Sequence, residues 1–459
     1  MIVEGWLERA AAHAPGREAV RTPQESWSYE RLHSAALAGA RELADRGAER
    51  ACRVGIALPA GMSFAHALHS CMLLGAAAVP IDARLAPAER AAIEGGCTFV
   101  VGEPLTESAP AAGALIAGAT HDLDATAAVI YTSGTTGSPR PIELTFGNLL
   151  WSALGSGVAL GSGPDDRWLC TLPLSHVGGL SILVRSAIFA TCAVVHERFE
   201  TDRALHALEN EGVTLVSLVG TTLDRLLQAG LREPPSLRCA LTGGGPVAPE
   251  LQARARAAGV PVSLTYGLTQ AASQVTTTPV AERDPPADSA GPPLFCTRVR
   301  IAARDEDETD PQQARAGDGE GEILVMGPTV APGTSDSDGW LHTGDLGALD
   351  ERGRLRVLGR RADTIITGGE NVAPAEVEAV LEAHPDVAEA AVLGRPDARW
   401  GEAVTAIVVA RAGSAPDEAQ LREHCAAALA PFKVPKSFEL SERPLPRTPS
   451  GKLLRRSLR

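Results

Sequence analysis

Lysine is nearly missing from this chain. Of 42 basic residues only three are lysines, Lys433, Lys436 and Lys452, and arginine holds every other basic position. A compact ammonium and a planar guanidinium do different chemistry, so a lysine kept against such a bias is a candidate for a site that needs a point charge. Lys452 stands in Thr448-Pro449-Ser450-Gly451-Lys452, a glycine turn near the end of the chain. An excess of positive charge is also absent. The 42 basic residues face 56 acidic ones for a net charge of −14, which argues against nucleic acid or an anionic membrane surface as the main partner. No apolar run is long enough to span a bilayer; the best, Ser181 to Val195, is short and contains Arg185, so no integral membrane segment is expected. The first 15 residues lack a basic start followed by an apolar stretch, so no secretory signal is expected. Eight cysteines are scattered without CxxC or Cys/His ligand spacing, which points to reduced thiols and a cytoplasmic protein. A homo-oligomer stays open.

What is present reads as an α/β protein of more than one domain, as 459 residues lead one to expect. Glu30 to Gly47 and Ser63 to Leu74 have helical periodicity, while Arg53 to Leu58 and Ala77 to Ile81 read as strands. Further strands are expected at Ala128–Tyr131, Leu169–Leu172, Ala193–His196, Val213–Leu218, Cys239–Thr242 and Ser263–Thr265. Such alternation means parallel-type sheets flanked by helices. From about Arg298 the character changes. Arg304 to Gly321 reads as an acidic surface excursion, and Glu322–Val325 and Leu355–Leu358 as strands of a small β-rich unit. Gly359 to Asp363 punctuates the chain, and a small α+β module of about a hundred residues follows. The expected division is residues 1–360 and 361–459.

The densest stretch is Ala127 to Asn148. A buried strand leads into Thr132-Ser133-Gly134-Thr135-Thr136-Gly137-Ser138-Pro139-Arg140, read as a loop, and Thr145 is placed to cap a helix starting near Phe146. Glycines let backbone N–H groups face an anion, hydroxyls add donors and Arg140 adds charge, which is the chemistry of a polyphosphate cradle. The GxxxxGK-Ser/Thr spacing of a Walker loop is absent. This loop resembles the phosphate-binding signature of the adenylate-forming superfamily of acyl- and aryl-CoA synthetases, adenylation domains and luciferases. That signature usually ends Lys-Gly where this chain has Arg140-Pro141, which keeps the charge but stiffens the loop.

More stretches match the superfamily in the same order. The resemblance implies that Gly244 and Gly245, in the glycine run after Ala240-Leu241-Thr242, lie along adenine. In Tyr266-Gly267-Leu268-Thr269 it puts Tyr266 on adenine beside Gly267 and the Thr269 hydroxyl on the α-phosphate. The next family residue is a glutamate that binds Mg²⁺; here it is Gln270, a weaker neutral donor. Either phosphates and water hold the metal, or activity is reduced. Trp340-Leu341-His342-Thr343-Gly344-Asp345 matches a W-x-x-T-G-D motif whose aspartate accepts from both ribose hydroxyls. Arg360 would then contact ribose or phosphate, and the family's pivot falls at Ala362. Lys452 matches the catalytic lysine, whose ammonium relieves repulsion between a carboxylate and the α-phosphate of ATP. The implied C-terminal domain is mobile: it withdraws the lysine and presents a second face for thiol attack. Gly368 and Gly369 would line the coenzyme A tunnel, with Trp400 and Phe432 beside the cofactor.

The acid itself is addressed by Pro173 to Ser181, which resembles the pocket-entry motif and implies a substrate and catalytic role for His176. Arg185 lies in an apolar run and needs a partner, either a structural carboxylate or a second carboxylate on the substrate. The latter fits a resemblance to the o-succinylbenzoate-CoA ligase branch of menaquinone biosynthesis, with Ser273 and Gln274 in the acyl pocket. The expected ligands are therefore an aromatic carboxylic acid, ATP, Mg²⁺ and coenzyme A. A stand-alone adenylating enzyme that loads a carrier protein, another acyl- or aryl-CoA ligase, and a non-catalytic nucleotide-binding relative are the competing readings.

Overall fold

The computed structural model describes residues 1–85, 87–108, 120–133, 139–282, 286, 288–303, 319–360, 363–367, 370–397, 399–429, 431–448 and 453–458. Two sheets dominate the first 280 of them. One has five strands in the order Phe99–Val101, Arg53–Ile56, Ala77–Pro80, Thr126–Ser133, Pro139–Thr145; the last pair is antiparallel, the others parallel. The other has eight strands, with Val262–Leu268, Cys239–Thr242, Leu215–Leu218, Arg167–Cys170, Cys192–Val195 and Glu18–Arg21 running parallel. Ser273–Thr277 and Ser26–Ser28 close its two edges in antiparallel fashion.

These strands are apolar on both faces because both faces are covered. Trp168, Cys170, Ala193, Val195 and Leu215 point into a core shared with the five-stranded sheet. Their neighbours Leu169, Cys192, Val194 and Val216 point the other way, onto helices Thr201–Asn210, Gly220–Gln228 and Pro249–Ala257. Between the sheets lie helices Trp6–His13, Tyr29–Asp45, Met62–Leu74, Phe146–Leu160 and Val177–Phe189. Sequence-local caps fix where two of these begin. Ser28 accepts from the Arg31 N–H, and Thr145 with Asn148 forms a reciprocal capping box.

Four antiparallel strands, Arg298–Ala303, Gly321–Met326, Leu341–Leu349 and Leu355–Arg360, make the small β unit. A last sheet is built from Glu370–Val372, Ile365–Thr367, Gly401–Ala410 and Val387–Asp397, with Ser437–Ser441 parallel to Gly401–Ala410. Helices Pro374–Glu382 and Glu418–Ala428 cover one of its faces. Leu445, Leu453 and Leu458 cover the other, against Ala391, Leu393 and Ile407. The architecture is mixed α/β, as expected. No helix of the described residues is long and apolar enough to cross a membrane, and all eight cysteines are free.

Two local expectations change. The stretch from Thr132 to Arg140 is not all loop, since Thr132 pairs with Arg140 and Ser133 with Pro139 across a hairpin. The proline is tolerated because it sits on an edge strand. The strand expected at Ser263–Thr265 runs further, from Val262 to Leu268, with a bulge at Tyr266 and Gly267. Residues 304–318 of the acidic excursion, and Ala362 at the expected pivot, lie outside the described residues.

Candidate functional site

Strand Val262–Leu268, next to the edge strand Ser273–Thr277 of the eight-stranded sheet, carries Tyr266, whose phenol donates to Asp345 Oδ2 at 2.8 Å. Both residues are buried, and burial beside that carboxylate pushes the phenol well above its usual range. Asp345 is held from two more sides. Its own N–H donates to Thr343 Oγ1 at 3.1 Å, and its Oδ1 lies 3.3 Å from Arg360 Nε in the neighbouring strand. Thr343 Oγ1 in turn donates to the Ile323 carbonyl. Tyr266, Asp345 and Arg360, separated in sequence, thus form one contiguous group with the Arg360 head exposed. Thr343, which orients the aspartate, was not singled out from the sequence, although the motif contains it.

Gly267 is needed for the close approach of two strands. A Cβ there would stand 1.8 Å from the Ser273 carbonyl oxygen. The chain then makes a one-turn 3-10 helix, Thr269–Ala271, and reverses through Ala272 and Ser273, whose φ values of 52° and 99° are left-handed. Non-glycine residues rarely adopt such angles, and their strain concentrates at functional sites. Gln270 is half-buried, and its carbonyl accepts from the Ala331 N–H at 2.8 Å. Gly244 has φ +79°, and nothing lies within 4 Å of a Cβ built on Gly245, so that backbone faces open space.

The hairpin strand Pro139–Thr145 lies against the Thr269–Ala271 turn, so the expected phosphate and α-phosphate residues share one edge. Arg140 is exposed there, and its carbonyl accepts weakly from Thr132 Oγ1. Gly134, Thr135, Thr136 and Gly137 lie outside the described residues, as do Gly368, Gly369 and Lys452. Trp400 and Phe432 lie in the C-terminal unit. Lys436 and Arg399 stand over the Trp400 ring, and Lys433 over Phe432, which rests against that unit's core.

Helices Phe146–Leu160 and Val177–Phe189 pack together in the core between the sheets, and both contact strand Ser273–Thr277. His176 stands at the N-terminal boundary of helix Val177–Phe189, which carries Arg185 inwards. Arg185 is 2% exposed, and among the described residues no carboxylate pairs with it. Its Nη2 donates to Ser152 Oγ at 3.2 Å, its head lies 5.4 Å from the Trp168 ring, and its Nε has no acceptor among the described residues. Burial lowers its pKa to about 9. Ser152, which the sequence did not mark, passes the contact on by donating to the Ala272 carbonyl at 2.6 Å. Gln274 is buried as well. Its amide donates to Thr277 Oγ1 at 2.7 Å, and its Oε1 is without a partner among the described residues. Both groups are thus under-satisfied among the described residues.

The family model of the AMP-binding enzymes matches residues 7–114 and 98–334, and that of the AMP-binding enzyme C-terminal domain matches 376–452. The chain is 37% identical to a 2-succinylbenzoate–CoA ligase of Bacillus subtilis, covering 99% of this chain and 97% of that protein. The corresponding enzyme of Bacillus licheniformis is 38% identical over 99% and 98%. Among solved structures, the chain is similar to o-succinylbenzoate CoA synthetase of Bacillus subtilis with its acyl-adenylate intermediate bound. The TM-score is 0.89 at 37% identity, over 100% of this chain and 98% of that one. A complex of the same synthetase with ATP and magnesium matches at 0.89 and 36%, over 100% of both chains. ATP-bound MatB of Rhodopseudomonas palustris matches at 0.88 and 29%, over 100% and 98%.

Proposed function

This chain belongs to the AMP-binding enzyme family, and from that premise we propose that it is an ATP-dependent acid–CoA ligase acting on 2-succinylbenzoate in menaquinone biosynthesis. The observation that carries the choice of acid is the buried guanidinium of Arg185, which no carboxylate among the described residues neutralises. A substrate that keeps one carboxylate while the other reacts would supply the missing charge. The relatives named 2-succinylbenzoate–CoA ligase support the same acid.

The reaction has two steps. A carboxylate oxygen attacks the α-phosphorus of ATP, and the bond to pyrophosphate breaks, giving an acyl-adenylate. The sulfur of coenzyme A, as thiolate, then attacks the acyl carbon, and AMP departs with the bonding electrons. In this reading Thr132, Ser133, Gly134, Thr135, Thr136, Gly137 and Arg140 hold the phosphates. Gly244, Gly245, Tyr266 and Gly267 line the adenine site, and Thr269 donates to the α-phosphate. Asp345, already fixed by Tyr266, Thr343 and Arg360, presents its carboxylate to the ribose diol. His176, Arg185, Ser273 and Gln274 hold the acid, and Lys452 offsets repulsion at the reacting phosphorus. Gly368, Gly369, Trp400 and Phe432 serve coenzyme A from the domain 361–459, which turns against the core 1–360 between the steps.

Among the described residues no three acidic, histidine or cysteine groups gather as a metal cage. The neutral Gln270 amide, standing where the family has a carboxylate, suits an Mg²⁺ carried mainly on ATP's phosphates and water. Bound there, the ion would neutralise phosphate charge. The work is placed in the cytoplasm, where ATP and coenzyme A are available. Purified protein given ATP, Mg²⁺, coenzyme A and 2-succinylbenzoate is expected to release AMP and form the thioester. Turnover of a different aryl acid, with none of this one, rejects the assignment.

A further inference from the structure

The segment that contains Lys452 is fastened at both flanks. Upstream, Arg447 forms an antiparallel bridge with Leu453, and the Leu454 N–H donates to the Pro446 carbonyl at 2.8 Å. These pairings join the chain on either side of residues 449–452, which lie outside the described residues. Each flank is then tied by an arginine to a different element of the C-terminal unit. Arg447 Nη2 donates to Glu389 Oε2 at 2.8 Å, in strand Val387–Asp397. Downstream, Arg455 Nη2 donates to both carboxylate oxygens of Glu378, at 2.6 Å for Oε1, in helix Pro374–Glu382. Glu378 is buried and also accepts from the Val392 N–H at 2.7 Å. Arg455 Nη1 lies 3.5 Å from Asp363, just past the point where the chain enters this unit. Leu445, Leu453 and Leu458 seat the same segment on the sheet's open face.

Covalent geometry keeps the Cα of Lys452 about 3.8 Å from that of Leu453. The starting point of its ammonium is therefore set by how firmly Leu453 is held. We propose that Arg447 and Arg455 are positioning residues for adenylation: they lock the flanks of residues 448–452 to the C-terminal sheet, so that Lys452 is carried by the whole unit and not by a loose tail. The proposal rests on the reading of Lys452 as the adenylating ammonium. Neither arginine needs to touch a substrate. Each guanidinium makes two contacts with its carboxylate, from Nη2 to both oxygens of Glu378 and from Nε and Nη2 to one oxygen of Glu389. Two contacts constrain direction as well as distance, which is what a lysine aimed at one phosphorus requires.

The two half-reactions separate this role from a general loss of structure. Arg447→Met and Arg455→Met are each expected to lower pyrophosphate exchange driven by 2-succinylbenzoate roughly ten- to a hundredfold. Thioester formation from coenzyme A and supplied 2-succinylbenzoyl-adenylate stays within about twofold, because that step does not use the lysine. Arg455→Lys, which keeps a charge for Glu378, recovers most of the exchange. So does the exchanged pair Arg447→Glu with Glu389→Arg. If Arg455→Met strips Glu378 of its partner and fails to fold, Arg447→Met, on a half-buried pair, carries the test. Equal loss of both half-reactions, or no loss of either, overturns the proposal. Lys452→Ala distinguishes the two ideas. Abolished exchange there with normal exchange in both arginine variants refutes the clamp alone, whereas normal exchange in Lys452→Ala refutes the role given to the lysine.

Discussion

In the proposed function, Arg185 is the residue on which substrate choice turns. A buried charge without a counter-charge is a cost to the empty protein, and burial already drags its pKa down to about 9. Arg185→Met is therefore expected to leave the ligand-free protein as stable or more so, by about 1–4 kcal/mol. The same change should raise the KM for 2-succinylbenzoate tenfold or more. A thermal melt and a substrate titration check both, and a lower melting temperature with unchanged KM would contradict the argument. Gln270 is the other decisive position. Gln270→Glu replaces an amide by a carboxylate beside the expected phosphates, so activity should hold or rise and depend more steeply on Mg²⁺. A large loss at every Mg²⁺ concentration would mean that the site is built around the amide.

At the scale of elements, the turn between Val262–Leu268 and Ser273–Thr277 joins two functions. It carries Thr269 and Gln270 on one side, and through the Ala272 carbonyl it anchors Ser152 and hence Arg185 on the other. Gly267→Ala drives a methyl group into the Ser273 carbonyl, so the strands must part. The expected outcome is a loss of more than about 3 kcal/mol in stability together with lost acid-dependent exchange. A variant that melts like the parent would show that the strands part without cost. The capping of helix Phe146–Leu160 serves the same region, because Asn148 also donates to the Pro328 and Val330 carbonyls, next to Ala331 and its bond to Gln270. Thr145→Ala is expected to cost about 1 kcal/mol, readable in denaturant titration.

Across the whole molecule, the core between the two sheets buries His69 and His121, whose pKa values fall to about 4 because burial penalises the charged ring. His121 Nε2 also accepts from the Trp6 N–H, which requires a neutral ring. Both groups bind protons more readily unfolded than folded. Their contribution is complete above the unfolded value of about 6.5 and is lost as pH falls towards 4, by roughly 3 kcal/mol each at most. Melting temperatures between pH 7 and pH 4 test this, and His121→Phe should flatten the decline. The sequence by itself determined the alternation of strand and helix, the cap at Thr145, and the ordered motifs around Tyr266 and Asp345, because each depends on neighbours within a few residues. It also flagged Arg185 as a charge in need of a partner. Only the tertiary structure decided that no carboxylate among the described residues answers it, that Ser152 links it to the Ala272 turn, and that Glu378 and Glu389 hold the flanks of residues 448–452. Those contacts join residues from 33 to 120 positions apart, and neither periodicity nor spacing records which distant side chain a fold brings against another.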